Sequence, residues 1–226
     1  MRVENSFIGA EGVGPKTERS LWTGGVTHWD EFDREAVGPT RAEGIAAFID
    51  RGREALATDD VRFFDAAFPG SERWRYFRSF RERACAFDIE TTGLDPDRAV
   101  VTTVTLHQDG ETRTLVRGDD LTDESLAAAF ADADLLVSFN GKRFDVPFLE
   151  QHFDVDLDRP HLDCMHVCRQ AGFSGGLSGV EDALGIGREL PDVDGREAVR
   201  LWHAHEAGRD GALDRLISYN REDAEN

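Results

Sequence analysis

The sequence lacks several features that mark particular protein classes. It has three cysteines, an odd number with no Cys-x-x-Cys pair, which argues against a disulfide framework and fits a reducing cytoplasm. No stretch approaches the roughly 20 apolar residues of a membrane span, and the first residues lack the apolar run of a secretory signal. We therefore expect a cytoplasmic protein.

Positive charge is also scarce. Among 226 residues, 26 are Lys or Arg and 45 are Asp or Glu, and only Lys16 and Lys142 are lysines. The net charge of −19 argues against the basic face that binding to phosphates normally requires. The acidity is uneven, however, with a net charge of −2 over residues 1–86 and −17 over residues 87–226. Excess carboxylate with Arg in place of Lys resembles the proteins of salt-adapted organisms.

Apolar residues make up 40% of the chain and include 15 Phe, which is enough for a packed core. Residues 1–70 have the pattern of short helices and end at a Pro-Gly break. Residues 71–83 interleave arginines with aromatic residues, and residues 84–226 contain strands followed by alternating strands and helices. This order predicts a helical region, a connector and an α/β domain with a sheet of mixed direction.

Candidate chemistry begins at the first predicted strand, which ends in Asp88-Ile89-Glu90. Residues two apart in a strand share a face, so both carboxylates point the same way. Like charges raise each other's pKa unless a cation lies between them, and Mg²⁺ or Mn²⁺ prefers oxygen ligands. The alternative is a solvated strand end without function.

Two later segments carry further acidic residues. Asp145 follows a second buried strand at the start of a predicted helix, where it could instead serve the helix dipole. Tyr219 and Asp223 are four residues apart and share one face of the final helix. There the alternative is a packed Tyr and a solvated Asp. The sequence ends three residues after Asp223, inside a helix that we expect to continue.

Taken in order, these segments resemble the three motifs of the DnaQ-like exonuclease superfamily. Phe87–Gly93 matches the first motif, Asn140–Asp145 the second, and Tyr219 with Asp223 the third in its tyrosine form (DEDDy). Leu177–Glu181 and Leu201-Trp202 look most like the YprB-like RNase H-fold branch. The resemblance implies an RNase H-like, mixed five-stranded sheet flanked by helices and preceded by a small all-helical region.

The resemblance also implies a function, a 3′–5′ exonuclease that cleaves DNA or RNA at a single-stranded end. Two divalent cations, Mg²⁺ or Mn²⁺, would be held by Asp88, Glu90, Asp145 and Asp223, and Tyr219 would orient the attacking water. Two alternatives stay open. The domain could bind nucleic acid without cleaving it, or it could be an acidic scaffold for protein partners.

The N-terminal segment Phe7–Thr17 resembles a helix-hairpin-helix module. In such a module, Gly12 and Gly14 would expose backbone N–H groups to a nucleic-acid phosphate, and Lys16 would add a charge contact. The alternative is a tight turn that serves only packing. Glu18 departs from the pattern, because small residues usually occupy its position.

Two further features are interpreted as structural. The segment 71–83 has a net charge of +3 and could stack nucleobases, but we favour packing of its aromatic rings. Asp163 is expected to cap the helix that follows it, with a contact to the metal site as the alternative. The nearby His161, Cys164, His166 and Cys168 match no structural zinc module.

Overall fold

The computed structural model describes all residues, 1–226. The chain divides into two compact units, Met1–Arg81 and Glu82–Asn226. None of its helices combines the length and the apolar character needed to cross a bilayer.

The first unit is helical and is built around aromatic side chains. Helices α1 (Pro15–Thr23) and α2 (Pro39–Ala57) each begin with a proline preceded by glycine, because proline suits the first helical position, where the backbone N–H has no partner. The buried rings include Phe7, Trp29, Phe64 and Tyr76. The α-helices are α1 (Pro15–Thr23), α2 (Pro39–Ala57), α3 (Val61–Ala67) and α4 (Phe77–Phe80), and the 3₁₀ helices are Val3–Asn5, Trp29–Glu31, Arg34–Ala36, Gly70–Tyr76 and Arg81–Arg83.

The second unit contains a five-stranded mixed sheet, as the sequence predicts. Strand order is β3-β2-β1-β4-β5; β1, β2 and β3 pair antiparallel, and β4 and β5 run parallel to β1. A tight hairpin turn joins β2 to β3, and its residues Asp109 and Gly110 both have positive φ, as an Asp-Gly turn of this kind requires. The strands are β1 (Ala84–Thr91), β2 (Val101–Gln108), β3 (Glu111–Val116), β4 (Leu135–Ser138) and β5 (His161–Asp163).

Helices flank this sheet on both faces. Phe87 and Ile89 of β1 belong to one buried apolar cluster together with residues of α5 and α6. A second cluster combines Trp202 of α9 with Leu216 and Tyr219 of α10. The predicted RNase H-like architecture is confirmed. The helices are α5 (Asp123–Phe130), α6 (Asp145–His152), α7 (Cys164–Gln170), α8 (Leu177–Leu184), α9 (Gly195–Glu206) and α10 (Ala212–Glu225).

Candidate active site

Strand β1 directs two carboxylates towards α10. Side chains alternate along a strand, so the apolar Phe87 and Ile89 face one core while Asp88 and Glu90 face the other side. Glu90 is buried and Asp88 is half-buried. The Asp223 carboxylate of α10 completes a group in which one oxygen of each residue lies within 4.8 Å of the others.

Asp145 lies next to this group but is not one of its three members. Strand β1 pairs with β4 only as far as Ala86, so the amide of Ile89 has no partner in β4. The side chain of Asp145 is the partner of this amide instead, because its Oδ1 accepts a hydrogen bond of 3.2 Å from the Ile89 N–H. The Asp145 carboxylate is therefore anchored to the backbone of β1 at Ile89, the residue between Asp88 and Glu90 in the sequence.

The loop from β4 to α6 is held by side chains of β5. Asp163 Oδ1 accepts hydrogen bonds from the backbone N–H of Asn140 at 2.8 Å and of Met165 at 3.1 Å, so the predicted capping of α7 is confirmed. Asn140 has a φ of +67°, which is uncommon for a residue other than glycine. A Cβ at Gly141 would lie 2.3 Å from Ser138 Oγ, so only glycine fits there. These contacts fix the path of the chain into Asp145.

Burial and mutual repulsion raise the pKa values of these carboxylates above their usual range. Burial, followed by the charges of Asp145, Asp223 and Glu90, raises the pKa of Asp88 well above its usual range. The pKa of Glu90 is raised well above its usual range by burial and then by Asp223 and Asp145. Burial raises the pKa of Asp145 to about 7, against hydrogen bonds from its own amide and that of Ile89. The site is short of positive charge.

One guanidinium partly offsets this charge. Arg188 Nε lies 2.5 Å from Glu181 Oε2, its Nη2 pairs with Asp223 Oδ1, and its guanidinium lies 5.5 Å from the centre of the Tyr219 ring. Burial raises the pKa of Asp223, although the Arg188 charge and hydrogen bonds from Arg188 and Tyr219 oppose the rise. Burial and the charges of Asp223 and Glu90 raise the pKa of Tyr219, which keeps its hydroxyl protonated at neutral pH.

Asn220 is a site residue that sequence reasoning missed. It is fully buried, and its Oδ1 accepts hydrogen bonds from Thr103 Oγ1 at 2.9 Å and Thr105 Oγ1 at 2.7 Å. Its Nδ2 then donates to Asp88 Oδ2 at 2.7 Å. This chain of contacts orients Asp88 from the neighbouring strand. Thr103 and Thr105, two residues apart and therefore on one face of a buried strand, were the available signal.

The residues present fit a hard divalent cation. Every candidate ligand offers carboxylate oxygen, and neither sulfur nor imidazole belongs to the group. Asp163, whose charge adds to the rise in the pKa of Asp145, has a buried Oδ2 without a hydrogen-bond partner. Uncompensated carboxylates and an orphaned oxygen are what a cation or its bound water would satisfy.

The predicted nucleic-acid contacts lie in the first unit. Gly12 has a φ of +75°, Gly14 caps α1, and Lys16 is exposed in the first turn of that helix. The element before the turn is the 3₁₀ helix Val3–Asn5 and not an α-helix. Glu18 is buried, and its Oε1 accepts hydrogen bonds from the N–H groups of residues 7 and 8. Its departure from the pattern therefore has a structural cause.

Comparison with known proteins identifies the second unit. A family model of the RNase_H superfamily matches residues 85–226. Among solved structures, one described as "apo form of the nuclease" is 22% identical, with 63% of this chain and 83% of that chain covered and a TM-score of 0.38. No curated protein matches this sequence. Because the family match covers well over half of the chain, this protein belongs to the RNase_H superfamily.

Proposed function

We propose that this protein is a metal-dependent nuclease that hydrolyses phosphodiester bonds of DNA or RNA. Membership of the RNase_H superfamily supports a nuclease-type function. The observation that carries the proposal is the group of Asp88, Glu90 and Asp223, with Asp145 beside it. Four carboxylates with raised pKa values and a single nearby guanidinium form a site that only added positive charge would relieve.

In this proposal Asp88, Glu90, Asp145 and Asp223 hold two divalent cations, Mg²⁺ or Mn²⁺. Such ions activate a water and stabilise the charge on the attacking and leaving oxygens. Tyr219 keeps its proton, so its hydroxyl orients a water by hydrogen bonding and does not act as a base. Asn220 and the β4–α6 loop position the carboxylates, since they fix Asp88 and Asp145 respectively.

The finer assignment rests on sequence resemblance. We propose the tyrosine form of the DnaQ-like superfamily, its YprB-like branch and 3′–5′ polarity on a single-stranded end. Residues 84–226 would form the exonuclease domain, residues 1–70 a helix-hairpin-helix-like region, and residues 71–83 a connector. Gly12, Gly14 and Lys16 would contact phosphate. All three cysteines are free thiols, which supports a cytoplasmic setting, and the acidic composition supports a salt-adapted organism.

One observation favours a second candidate, a nucleic-acid-binding module without catalysis. Arg188 already pairs with Asp223, and a guanidinium in that position competes with a cation for the carboxylate. The two candidates differ in whether the site takes up metal. Direct binding of Mn²⁺ therefore separates them without relying on cleavage.

The test combines cleavage and binding. We expect single-stranded DNA or RNA oligonucleotides to be degraded with Mg²⁺ or Mn²⁺ and not with chelator, and a 3′ block to protect them while a 5′ block does not. Asp88→Asn keeps an acceptor for Asn220 and should lower the rate by on the order of 10³-fold. Asp132→Asn, an exposed acid outside the site, is the matched control and should change nothing.

Calorimetric titration supplies the second readout. Mn²⁺ should bind the parent protein, and binding should weaken at least tenfold in Asp145→Asn, because one carboxylate of the set is neutralised. Cleavage that survives chelator and Asp88→Asn would refute the assigned site. Absence of Mn²⁺ binding to the parent protein would favour the second candidate.

A further inference from the structure

The segment 70–83 forms one continuous helical stretch with two different faces. It consists of the 3₁₀ helix Gly70–Tyr76, α4 and the 3₁₀ helix Arg81–Arg83. Tyr76 and Phe80 are buried, with exposed fractions of 0% and 2%, as the packing interpretation predicts. Trp74 and Phe77 are 39% and 42% exposed. Packing therefore explains only half of the aromatic residues in this segment.

The exposed rings of Trp74 and Phe77 do not pack against other aromatic rings. Most of the other aromatic rings of the first unit contact another ring, but Trp74 and Phe77 contact none. The indole N–H groups of Trp22 and Trp29 donate to backbone carbonyls, whereas that of Trp74 donates to no protein acceptor. Only the Arg75 guanidinium approaches the Trp74 ring, at 5.7 Å. Two large rings are thus presented to solvent side by side, three residues apart on a helix.

The arginines of the segment divide in the same way. Arg73 pairs with Asp65, and Arg75 pairs with Glu18 and Glu72. Arg78 and Arg81 are exposed and form no ion pair, although the chain has 45 acidic residues. Arg78 follows Trp74 by four residues and Arg81 follows Phe77 by four, so both lie on the same side of the helical stretch as the two exposed rings.

We propose that Trp74, Phe77, Arg78 and Arg81 form a binding surface for single-stranded nucleic acid, an inference that rests on the proposed nuclease function and deepens it. We call these four residues the aromatic-arginine face. Exposed rings stack on unpaired bases, and unpaired guanidinium groups neutralise phosphates, which together are the recognition elements of sequence-tolerant single-strand binding. A duplex keeps its bases stacked and offers the rings no base faces.

Charge favours this occupant over the alternatives. Residues 71–81, the part of the segment that lies in the first unit, have a net charge of +3, whereas the first unit as a whole has a net charge of −2. A polyanion is complementary to that local charge, and its bases match the rings. Two arginines on a weakly acidic unit give little attraction to an anionic membrane, which normally requires clusters of four or more basic residues.

The test measures binding separately from cleavage. In chelator, the anisotropy of labelled dT20 and U20 should show binding by the parent protein. Trp74→Ala with Phe77→Ala should weaken it about tenfold or more, because each base stacked on an aromatic ring contributes substantially. Arg78→Ala with Arg81→Ala should weaken it and reduce the steepness of its salt dependence by about 1.4. Trp74→Phe keeps a ring and should bind almost normally.

Matched controls use exposed residues elsewhere. Leu94 and Leu184 are exposed large apolar residues, and Arg98 is 86% exposed at its side chain. Alanine at these three positions should leave binding unchanged. Circular dichroism should show that every variant is folded, since the substituted side chains are at the surface.

The outcomes distinguish the surface from the active site. If the Trp74/Phe77 double variant binds as well as the parent while Mg²⁺-dependent cleavage is present, the aromatic-arginine face does not bind nucleic acid, and the nuclease proposal stands. If binding falls as expected but the parent protein never cleaves, the face stands and the nuclease proposal fails. Binding to anionic vesicles without binding to either oligonucleotide would overturn the face in favour of a membrane.

Discussion

Each unit buries carboxylate, and the two sites differ in what surrounds it. In the first unit Glu18 is 1% exposed, and it accepts hydrogen bonds from Ser6 Oγ, two backbone N–H groups and Arg75 Nη1. In the second unit Glu90 is 8% exposed and accepts no hydrogen bond from the protein. A buried charge must be compensated. The chain itself supplies hydrogen-bond donors to Glu18, whereas it supplies none to Glu90.

This difference teaches how to separate a structural acid from a functional one. Burial alone does not distinguish the two kinds of acid, because both residues are buried. The number of hydrogen-bond donors that the fold supplies to the carboxylate distinguishes them. A carboxylate with a full set of donors stabilises the native state, and one without them persists only when another requirement, such as cation binding, retains it.

The largest expected effect comes from Glu18→Gln. The substitution removes the negative partner of the buried Arg75, which then keeps only Glu72, and it places an amide N–H₂ where an acceptor is needed. We expect the first unit to lose about 3 kcal/mol of stability. Three of the four tryptophans, Trp22, Trp29 and Trp74, lie in this unit, so fluorescence during urea unfolding reports on it.

The control for this prediction is Glu11→Gln, the same change at an exposed position. It should alter stability by no more than about 0.5 kcal/mol. Equal effects of the two substitutions would show that the donors around Glu18 do not make it structural, and the comparison between the units would lose its basis.

Sequence patterns predicted the elements that depend on local spacing. Asp88 and Glu90 share a face because strands alternate, and Tyr219 and Asp223 share one because helices repeat every three to four residues. The role of Asn220 in the site was not predicted, because its partners Thr103 and Thr105 are more than 110 residues away in the sequence. Contacts over that separation follow from the path of the whole chain, which no local pattern contains.

The same limit applies to charge partners. The contact of Arg188 with both Glu181 and Asp223 joins α8, the following loop and α10. Glu18 looked like a departure from a motif because its partner Arg75 is 57 residues away. In the segment 71–83, the composition allowed either stacking on nucleobases or packing of the aromatic rings, and packing was the favoured prediction. Only the helical geometry shows that Tyr76 packs while Trp74 does not.

A pH-dependent effect of intermediate size is expected at His161, a buried histidine of β5. Burial lowers its pKa to about 4; Lys142 adds to this, Asp163 opposes it, and Ser138 Oγ lies 2.7 Å from Nε2. The unfolded chain, with a pKa near 6.5, therefore binds the proton more readily. Stability from this residue is present above about pH 6.5 and is lost as the pH falls towards 4.

The measurement compares the parent protein with His161→Gln. Between pH 7.5 and pH 5 the parent should lose about 2 kcal/mol through this residue, and the variant should not. Urea unfolding of the second unit, followed by hydrogen exchange of β1 and β4 peptides, provides the readout. Identical pH profiles for the two proteins would show that His161 does not contribute, and that the second unit responds to protons through its acids alone.

The smallest expected effect on metal-free stability is the most informative, because Glu90→Gln repeats the Glu18 change with the opposite sign. Glu90 loses no hydrogen bond on substitution, and removing its charge relieves repulsion from Asp223 and Asp145. In chelator we expect the second unit to gain on the order of 1 kcal/mol. Mn²⁺ should stabilise the parent by about 2.7 kcal/mol at a hundredfold excess over Kd, and the variant by much less.

Asp132→Asn serves as control, since it changes an exposed acid of the same unit and should leave both values unchanged. A loss of stability in metal-free Glu90→Gln would show that Glu90, like Glu18, is a structural acid. A gain in chelator together with a lost response to Mn²⁺ cannot come from a structural acid, because a structural acid stabilises the fold without a cation. Whether the change from Glu to Gln raises or lowers stability at Glu18 and at Glu90 therefore decides whether the second unit retains its carboxylates for folding or for metal binding.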